Sequence, residues 1–389
     1  MAIPRTRAWI EVDLEALRAN YDTIRRAVGP GAALLPMVKA DAYGLGAACA
    51  VRVFEPLEPW GYGVATAVEG AALRADGVRR PILVAGPLPG GDVDIAARAR
   101  LTASISSVSG LEAWIGVTER AGATLDFHVD VDTGMGRSGF DWRDSGAWIG
   151  AVREAAARAG SSSGVRWTGV FTHFHSADAA DEAGVLAQWE RFRDTLVQLP
   201  MPRESLLVHA ANSAAAFRWP AMALDLVRPG IFLYGGHPAP GVSGVPRPAP
   251  VVAVRARLVH VRSAVPGSTV GYGATYTAVG PERWGTMSIG YGDGLPRLLG
   301  NRGTALARGR RVPMIGRISM DLTTVRLDGV PGAVRGDVAT LIGEDGAERI
   351  TVDEVAEDAG TIGYEILVAV GRSRLPRLER TYETEGERA

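Results

Sequence analysis

The residue with the most distinctive chemistry is Lys39, the only lysine among the 42 lysine and arginine residues of this 389-residue chain. A reaction that needs a primary amine must use it, because an arginine guanidinium stays protonated and forms no Schiff base. An apolar run ends directly before Lys39, so the lysine lies at the end of a predicted buried strand, where active sites form. The position predicts a functional amine; a single remaining surface lysine is the alternative.

Other polar residues also lie at the ends of predicted strands. They are Tyr43, Asp130, Asp132, Arg137, His173, His175, His209, Asn212, Ser213, Arg228 and Gly230. Each alone means little, but a barrel would bring all these strand ends to one face. A lysine that forms an imine with an aldehyde cofactor needs phosphate donors, and the Tyr43 and Ser213 hydroxyls with the Gly230 and Ile231 amides are suitable. With His173 available to pack on the ring, the set favours pyridoxal phosphate.

Two other kinds of site can be compared with these residues. Residues 134–139 match the glycine fingerprint of dinucleotide binding, but that pattern requires a helix at the turn and an acidic residue ending the next strand. The next predicted strand, 165–171, ends in Thr172 and His173 instead. His173 and His175 could be part of a zinc set, yet the spacing indicates no third ligand. We therefore expect neither a nicotinamide cofactor nor a metal.

Strand–helix units that would position these residues fill the first part of the chain. Strands are predicted at 8–12, 33–38, 61–65, 81–85, 102–105, 124–131, 165–171, 206–209 and within 226–234, and helices at 14–28, 67–76, 92–100, 108–121, 145–159, 182–198 and from 213. Repeated units with apolar strands predict a parallel sheet, and their number suits a closed barrel of eight.

A second domain is predicted after the proline- and glycine-rich residues 235–250. Short alternating strands follow, with helices at 352–359 and 366–370, which is typical of a mainly β domain. The predicted fold class is α/β: a (β/α)8 TIM-type barrel in residues 1–240, then a mainly β domain in residues 241–389. The first strand, 8–12, is a candidate to pack with the second domain.

Composition narrows the function classes. The net charge is −1, with 47% hydrophobic and 22% charged residues, so no electrostatic feature favours nucleic acid or an anionic membrane. No uncharged stretch is long enough to span a bilayer, and the first 13 residues lack the apolar region of a signal peptide. The single cysteine, Cys49, excludes an internal disulfide and fits a reducing compartment. These features predict a cytoplasmic enzyme.

Nine short motifs, in order, carry a family resemblance. They occupy residues 38–44, 132–137, 172–174, 211–213, 228–231, 271–276, 289–291, 316–321 and 363–365. Through them the sequence resembles the alanine racemase family over essentially its whole length. The resemblance implies a pyridoxal 5′-phosphate-binding barrel, a β domain, and a head-to-tail homodimer whose active sites are shared between subunits.

The resemblance also assigns roles to individual residues. It implies that Lys39 holds the cofactor covalently, and that the other cofactor contacts are Tyr43, Arg137, His173, Asn212, Ser213, Arg228, Gly230, Ile231 and Tyr364. Arg137 would contact the phenolic oxygen, His173 the ring and Arg228 the pyridine nitrogen. Tyr272 would be the second base, contributed by the partner subunit. The implied substrate contacts are Met320, which would bind the carboxylate, with Arg137, Tyr272 and Tyr291; the entry path would be lined by Tyr291, Arg297, Arg317 and Ile362.

The activity implied is the interconversion of L- and D-alanine by two-base proton transfer at Cα, supplying D-alanine for peptidoglycan. The motifs contact the cofactor and the α-carboxylate, so a racemase of serine or another amino acid is an alternative, and a non-catalytic pyridoxal phosphate protein is a third. Three positions depart from the family pattern, and one of them is Leu45, which replaces a common histidine. Asp130 stands where many members carry a carbamylated lysine, and we expect its carboxylate to supply the negative charge beside Arg137. His175 replaces a usually small residue near the entry path; it alters substrate preference or is simply a packed or solvated residue.

Overall fold

The computed structural model describes residues 6–158 and 164–381. Its strands are β1 Ala8–Asp13, β2 Ala33–Leu34, β3 Tyr62–Val64, β4 Ile82–Val84, β5 Thr102–Ile105, β6 Leu125–Asp132, β7 Phe140–Asp141, β8 Val165–Phe171, β9 Leu207–His209, β10 Leu226–Val227, β11 Val252–Ala264, β12 Thr269–Val270, β13 Tyr276–Thr277, β14 Glu282–Met287, β15 Thr304–Ala307, β16 Arg310–Ile315, β17 Thr323–Arg326, β18 Val338–Asp345, β19 Glu348–Ile350 and β20 Arg377–Arg380. Its helices are α1 Leu14–Val28, α2 Lys39–Tyr43, α3 Ala47–Phe54, α4 Ala67–Ala75, α5 Gly90–Arg98, α6 Val108–Ala121, α7 Ser145–Arg158, α8 Ala183–Val197, α9 Ser213–Arg218, α10 Val352–Ala359 and α11 Gly363–Gly371.

Eight parallel strands close into a ring, which confirms the predicted barrel. One sheet runs in the order β3-β4-β5-β6-β8-β9, and β10 pairs with β2. Two parallel bridges, Met37 with Gly63 and Asn212 with Arg228, connect these sheets at both junctions. The residues of β3, β4 and β5 are buried on both faces, as expected for strands that pack between a barrel interior and a layer of helices.

One predicted strand is shorter than its sequence pattern indicated, and another lies within its predicted run. The run 33–38 pairs as a strand only at Ala33–Leu34 and then crosses Pro36, which has no N–H to donate. Within the run 226–234, the strand is Leu226–Val227, Arg228 adds the bridge to Asn212, and Ile231–Tyr234 forms a 3-10 turn after Pro229. Helices α2 and α3 were not predicted. The predicted end of α7 at residue 159 lies outside the described residues.

The second sheet contains nine strands in the order β19-β18-β15-β16-β17-β14-β11-β1-β20. Strand β1 lies between β11 and β20, antiparallel to the first and parallel to the second. The first strand therefore pairs with the C-terminal sheet, and α1 leads directly from it to the barrel. The domain boundary at residue 240 stays a prediction.

The C-terminal region also supports the turn that follows Lys39. A Cβ built on Gly44 would lie 2.8 Å from the Cα of Gly371 at the end of α11. Two backbones can approach this closely only where both residues lack a side chain. The loop after α2 is therefore positioned by α11. In the described part of the chain, every helix is too short or too polar to cross a membrane.

Candidate active site

An open cavity lies at the carboxyl ends of the barrel strands; its empty volume, which includes solvent at the mouth, is about 820 Å³. Its lining residues are Met37, Lys39, Tyr43, Ala85, Asp130, Val131, Asp132, Met135, Arg137, Ser138, Phe171, His173, Asn212, Ser213, Arg228, Gly230, Ile231 and Tyr364. The structure thus brings Lys39 together with all nine of the other residues that the resemblance implied as cofactor contacts. This is the face of a barrel on which enzymes of this fold carry their active sites.

Lys39 begins a turn with an unusual backbone. Ala40, Asp41, Ala42 and Tyr43 all have φ between 53° and 57°, the left-handed region. Each such residue costs about 1–2 kcal/mol relative to a right-handed one, so the surrounding structure must hold the turn. One anchor is Glu69, whose carboxylate accepts a hydrogen bond from the Ala40 amide at 2.7 Å. The strain is concentrated next to the one amine of the chain.

Burial lowers the pKa of the Lys39 amine, and the positive charge of Arg137 lowers it further. The neutral form of an amine is the nucleophile that condenses with an aldehyde and the form that can accept a proton. The surroundings of Lys39 therefore favour the neutral amine, which is the reactive form.

Arg228 is buried and contacts only neutral acceptors in its hydrogen bonds. Its Nη1 lies 2.7 Å from His209 Nδ1, and its Nη2 lies 2.7 Å from the Thr172 carbonyl oxygen. Nη2 is also 3.1 Å from the Ala210 carbonyl oxygen and 3.2 Å from His173 Nδ1. Burial lowers the pKa of Arg228 to about 10, so the guanidinium remains charged at neutral pH.

The charges around the cavity favour an anionic ligand. Lys39, Arg137 and Arg228 line it, against the carboxylates of Asp130 and Asp132. Asp132 is occupied by the glycine loop, because its Oδ1 accepts from the amides of Gly134 at 2.9 Å and Gly136 at 3.0 Å. The donor set therefore suits a small molecule that carries negative charge.

Hydroxyl and amide donors gather at one end of the cavity. Ser213 Oγ accepts from the Gly230 amide at 2.8 Å, which leaves the hydroxyl hydrogen free to donate to a ligand. A Cβ at Gly230 would lie 2.1 Å from the Tyr43 hydroxyl oxygen, so only glycine fits there. Burial raises the pKa of Tyr364 to about 12 and that of Tyr43 further, so both phenols stay protonated donors. Protonated hydroxyls beside backbone amides form a suitable phosphate cradle.

Asp130 does not form an ion pair with Arg137 in its closest contacts. Its Oδ2 accepts from the hydroxyls of Ser138 at 2.9 Å and Ser106 at 3.3 Å. Burial raises the pKa of Asp130 to about 6 although these hydroxyls, Arg228 and Arg137 act to lower it. The Asp130 carboxylate near Arg137 is thus ionised at neutral pH and becomes protonated at a higher pH than an exposed carboxylate does.

The competing sites considered from the sequence have different geometry. The glycine loop 134–139 leads into β7 and then a 3-10 turn before α7 begins at Ser145, so no helix opens at the turn. His173 lines the cavity, whereas His175 is exposed and is not part of the lining, and the described residues contain no group of three His, Cys, Asp or Glu that could hold a metal. The two histidines therefore do not form one ligand set.

Three predicted site residues lie away from this cavity. Tyr272, Tyr291 and Met320 are 70%, 42% and 53% exposed and come from loops of the C-terminal region. Backbone hydrogen bonds join two of these loops, from Tyr291 to Ser319 and from Gly292 to Met320. The third loop packs on Arg317, whose backbone lies 3.1 Å from a Cβ placed on Gly271. We call the loops 271–275, 290–294 and 316–322 the exposed loop cluster.

Sequence reasoning missed His128, Ser106 and Glu69. Strand β6 offered a signal for the first, since Asp126, His128, Asp130 and Asp132 alternate with apolar residues and therefore point to one face. Glu69 and Ser106 follow no comparable pattern, because their partners at Ala40 and Asp130 are distant in sequence.

Comparison with known proteins gives consistent matches over both parts of the chain. Residues 12–238 match the family described as "Alanine racemase, N-terminal domain", and residues 251–379 match "Alanine racemase, C-terminal domain". A protein named alanine racemase from Desulfosudis oleivorans is 37% identical over 95% of this chain and 96% of its own length. "Alanine racemase 2" of Bacillus subtilis is 35% identical over 97% of this chain and 95% of its own length.

Solved structures agree with these matches. The alanine racemase of Streptomyces coelicolor A3(2) superposes with a TM-score of 0.85 at 36% identity, covering 96% of this chain and 98% of that one. The alanine racemase of the D-cycloserine producer Streptomyces lavendulae gives a TM-score of 0.89 at 32% identity, covering 98% and 99%.

Proposed function

The chain belongs to the alanine racemase family, and we propose that it interconverts L- and D-alanine with pyridoxal 5′-phosphate as cofactor. The observation that carries this proposal is the single lysine of the chain, which is partly buried, has a lowered pKa and lies at the edge of a cavity with cationic walls and hydroxyl donors. The alanine racemases that match it at 35–37% identity support the choice of alanine.

The lining residues fit a phosphorylated aldehyde. Lys39 would hold it covalently, and the phosphate would meet Tyr43, Ser213, Tyr364 and the amide of Ile231, with Gly230 beside it and its amide donating to Ser213 Oγ. Arg228 would face the pyridine nitrogen, His173 the ring and Arg137 the phenolic oxygen, with Asn212 holding the Ser213 segment through its 3.0 Å cap to Ala215. When bound, the cofactor withdraws electrons from the substrate Cα and so makes its proton removable.

Racemisation requires a proton to leave one face of Cα and another to arrive on the opposite face. Lys39 is one base, and its lowered pKa favours the neutral amine that accepts a proton. Tyr272 is the second base. Met320 and Arg137 bind the substrate carboxylate, with Tyr291 at the entry path. The buried Asp130 carboxylate supplies negative charge near Arg137.

Tyr272 can serve this role only at the cavity of another copy, so the active unit is a homodimer with shared sites. The exposed loop cluster supports this, because monomeric proteins rarely expose several large apolar side chains together. Tyr272, Met320 and Leu322 are each more than 40% exposed within it. A symmetric pair would bury each cluster against the partner's cavity.

Mixing two inactive variants tests both the residues and their sharing. Lys39→Ala and Tyr272→Ala should each be inactive alone, yet refolding an equal mixture should restore about a quarter of wild-type turnover. Half the dimers are then mixed, and each mixed dimer has one site with both bases intact. The control is the double variant Lys39→Ala/Tyr272→Ala. Mixed with either single variant, it should restore no turnover. No rescue in the mixture would place both bases in one chain and contradict the shared site.

The substrate is tested by following loss of optical rotation with L-alanine and then a panel that includes L-serine. A clear preference for alanine supports a role in supplying D-alanine for peptidoglycan in the cytoplasm. Faster turnover of serine or another amino acid would instead assign a different racemase, and bound cofactor without any turnover would assign a cofactor-binding protein.

A further inference from the structure

A line of three side chains crosses the barrel interior below the cavity. Arg228 Nη1 lies 2.7 Å from His209 Nδ1. The other ring nitrogen of His209, Nε2, lies 2.9 Å from His128 Nδ1. The two imidazoles are completely buried, and Arg228 is 5% exposed. His128 is thus linked to a cavity residue although it does not line the cavity itself.

The chemistry of arginine sets the direction of every hydrogen bond in this line. A guanidinium can only donate, so His209 Nδ1 must carry a lone pair and its proton must be on Nε2. That N–H donates to His128 Nδ1, which must also carry a lone pair. The proton of His128 is therefore on Nε2. The Arg228 donor on one side and the His128 acceptor on the other therefore require the same His209 tautomer.

The line ends without a further partner. Among the described residues, His128 Nε2 is buried and has no hydrogen-bond partner. A second proton on either ring would break the 2.7 or 2.9 Å contact, because the protonated nitrogen could no longer accept. Burial lowers the pKa of His128 to about 3 and that of His209 well below its usual value, with Arg228 as the next cause in both. Both rings are therefore neutral at physiological pH.

The surroundings fit the His128 ring closely. A Cβ on Gly169, its partner across β6 and β8, would lie 2.7 Å from three atoms of the imidazole. The Trp60 ring lies on another side at 5.8 Å between centroids. His209 stacks on Phe171 at 4.9 Å, and the Arg228 guanidinium lies 5.2 Å from the same phenyl ring. These contacts leave the two imidazoles little freedom to turn.

We propose that His128 is a positioning residue: by accepting the His209 proton it fixes the His209 tautomer, which in turn fixes the Arg228 guanidinium towards the cavity ligand. The proposal rests on the proposed function only for the identity of that ligand. A purely packing role for His128 is the competing explanation, and it makes no demand on where the His209 proton lies.

Nitrogen NMR of histidine-labelled protein tests the proton positions directly, with and without bound pyridoxal phosphate. We expect His128 and His209 each to show an unprotonated Nδ1 and a protonated Nε2, unchanged from pH 8 to pH 6. The signals of His128 and His209 are assigned by comparison with variants in which one of the two histidines is replaced. Protonation of His209 at Nδ1, or of either ring at both nitrogens, would overturn the proposal, whatever the racemase activity. Absence of racemase activity with these tautomers present would contradict only the proposed function.

Two replacements of His128 separate positioning from packing. His128→Asn keeps an acceptor near the Nδ1 position, whereas His128→Leu keeps apolar volume and leaves the buried His209 N–H unpaired. We expect the leucine variant to bind pyridoxal phosphate about tenfold more weakly than the asparagine variant and to mix the His209 tautomers. Gly169→Ala, which displaces the ring without changing its chemistry, should also mix the tautomers.

The affinity is measured by titrating cofactor-free protein with pyridoxal phosphate, and thermal unfolding monitors the fold. Equal affinities and equal His209 spectra for His128→Asn and His128→Leu would show that His128 only packs. If the leucine variant fails to fold, the wild-type tautomers and the Gly169→Ala spectra still decide the question.

Discussion

The barrel cavity and the exposed loop cluster support their polar groups in different ways. In the cavity, Arg228 and Ser213 are buried and held by several hydrogen bonds within the chain. In the cluster, Tyr272 and Met320 are 70% and 53% exposed, and backbone hydrogen bonds join the loop of Met320 to that of Tyr291. One chain thus encloses the whole set of proposed cofactor contacts, but the side chains of Tyr272 and Met320 face outwards. The cavity is pre-organised within the chain, whereas the proposed role of the exposed loop cluster requires a second copy.

The backbone of the exposed loop cluster is held by a buried carboxylate. Asp293 is fully buried and accepts hydrogen bonds from Arg7, from Arg374 at 2.9 Å and from the Gly290 amide at 3.2 Å. Arg374 also bonds Asp321, next to Met320. Hydrogen bonds to Asp293 and Arg374 therefore hold the backbones of loops 290–294 and 316–322 in place. The exposure of Tyr291 and Met320 is thus not a result of disordered loops.

Replacing one base from each region gives the largest and most distinct effects. Lys39→Ala should remove both covalent cofactor attachment and turnover. Tyr272→Phe should keep the bound cofactor and lower kcat by about a thousandfold, as expected for loss of one proton-transfer group. Absorbance of bound cofactor and turnover of both alanine enantiomers measure this. The control is Tyr276→Phe, since Tyr276 hydrogen-bonds Glu282 away from the cavity. Cofactor loss from Tyr272→Phe would contradict the division between the two regions.

Weakening the support beneath the loops should give the next largest effect. Asp293→Asn leaves Arg7 and Arg374 poorly paired, and we expect the free energy of unfolding to fall by about 2 kcal/mol with a raised KM. Burial alone would raise the pKa of Asp293, but these arginines and the Gly290 amide lower it overall. A lowered pKa adds stability above about pH 4 that is lost as the pH falls through the folded-state pKa, so urea unfolding should show a larger difference at pH 7 than at pH 3.

Asp94→Asn is the matched control, because the Asp94–Arg120 pair is exposed at both residues. Such pairs contribute about 0–1 kcal/mol. Equal losses for Asp293→Asn and Asp94→Asn would mean that Asp293 does not support the exposed loop cluster.

The charge of Asp130 offers a pH test of the cavity. Burial raises its pKa from 3.8 to about 6, so the folded state binds the proton more tightly than the unfolded state. This contribution is fully present below about pH 4 and is lost as the pH rises through 6. Asp130→Asn lacks this slope and keeps an acceptor for Ser106 and Ser138, so the cofactor-free variant should be about 2 kcal/mol more stable than wild type at pH 8. Parallel stability curves from pH 4 to pH 8 would be inconsistent with this prediction.

The smallest effect concerns the strained turn after Lys39. Ala40 has φ 53°, which glycine adopts without penalty. Ala40→Gly should leave the free energy of unfolding unchanged or raise it by about 0.5 kcal/mol, because relief of strain offsets the greater freedom of the unfolded chain. Ala72→Gly, at an exposed position of α4, should instead lose about 1 kcal/mol. Similar losses at both positions would mean that the turn is not strained.

Several parts of the barrel site were predictable because they follow local rules. Lys39, His173 and Arg228 come directly after apolar runs, and parallel strands bring such ends to one face. The left-handed turn at residues 40–43 was not predictable, since local preference favours right-handed backbone and the support comes from Glu69 and the Gly44–Gly371 approach. His128 was missed because a buried histidine in a strand resembles any other polar residue until its neighbours are known.

The sequence by itself determined which chemical groups exist: one amine, a tyrosine in a C-terminal glycine turn, and polar residues at the ends of strands whose periodicity specifies a barrel. Only the tertiary structure decided which groups are desolvated, which way protons are held along Arg228, His209 and His128, and that Tyr272 remains exposed in a single chain. The physical reason is that burial and hydrogen-bond direction depend on distances between residues far apart in sequence, and side-chain spacing along one strand or helix does not contain them.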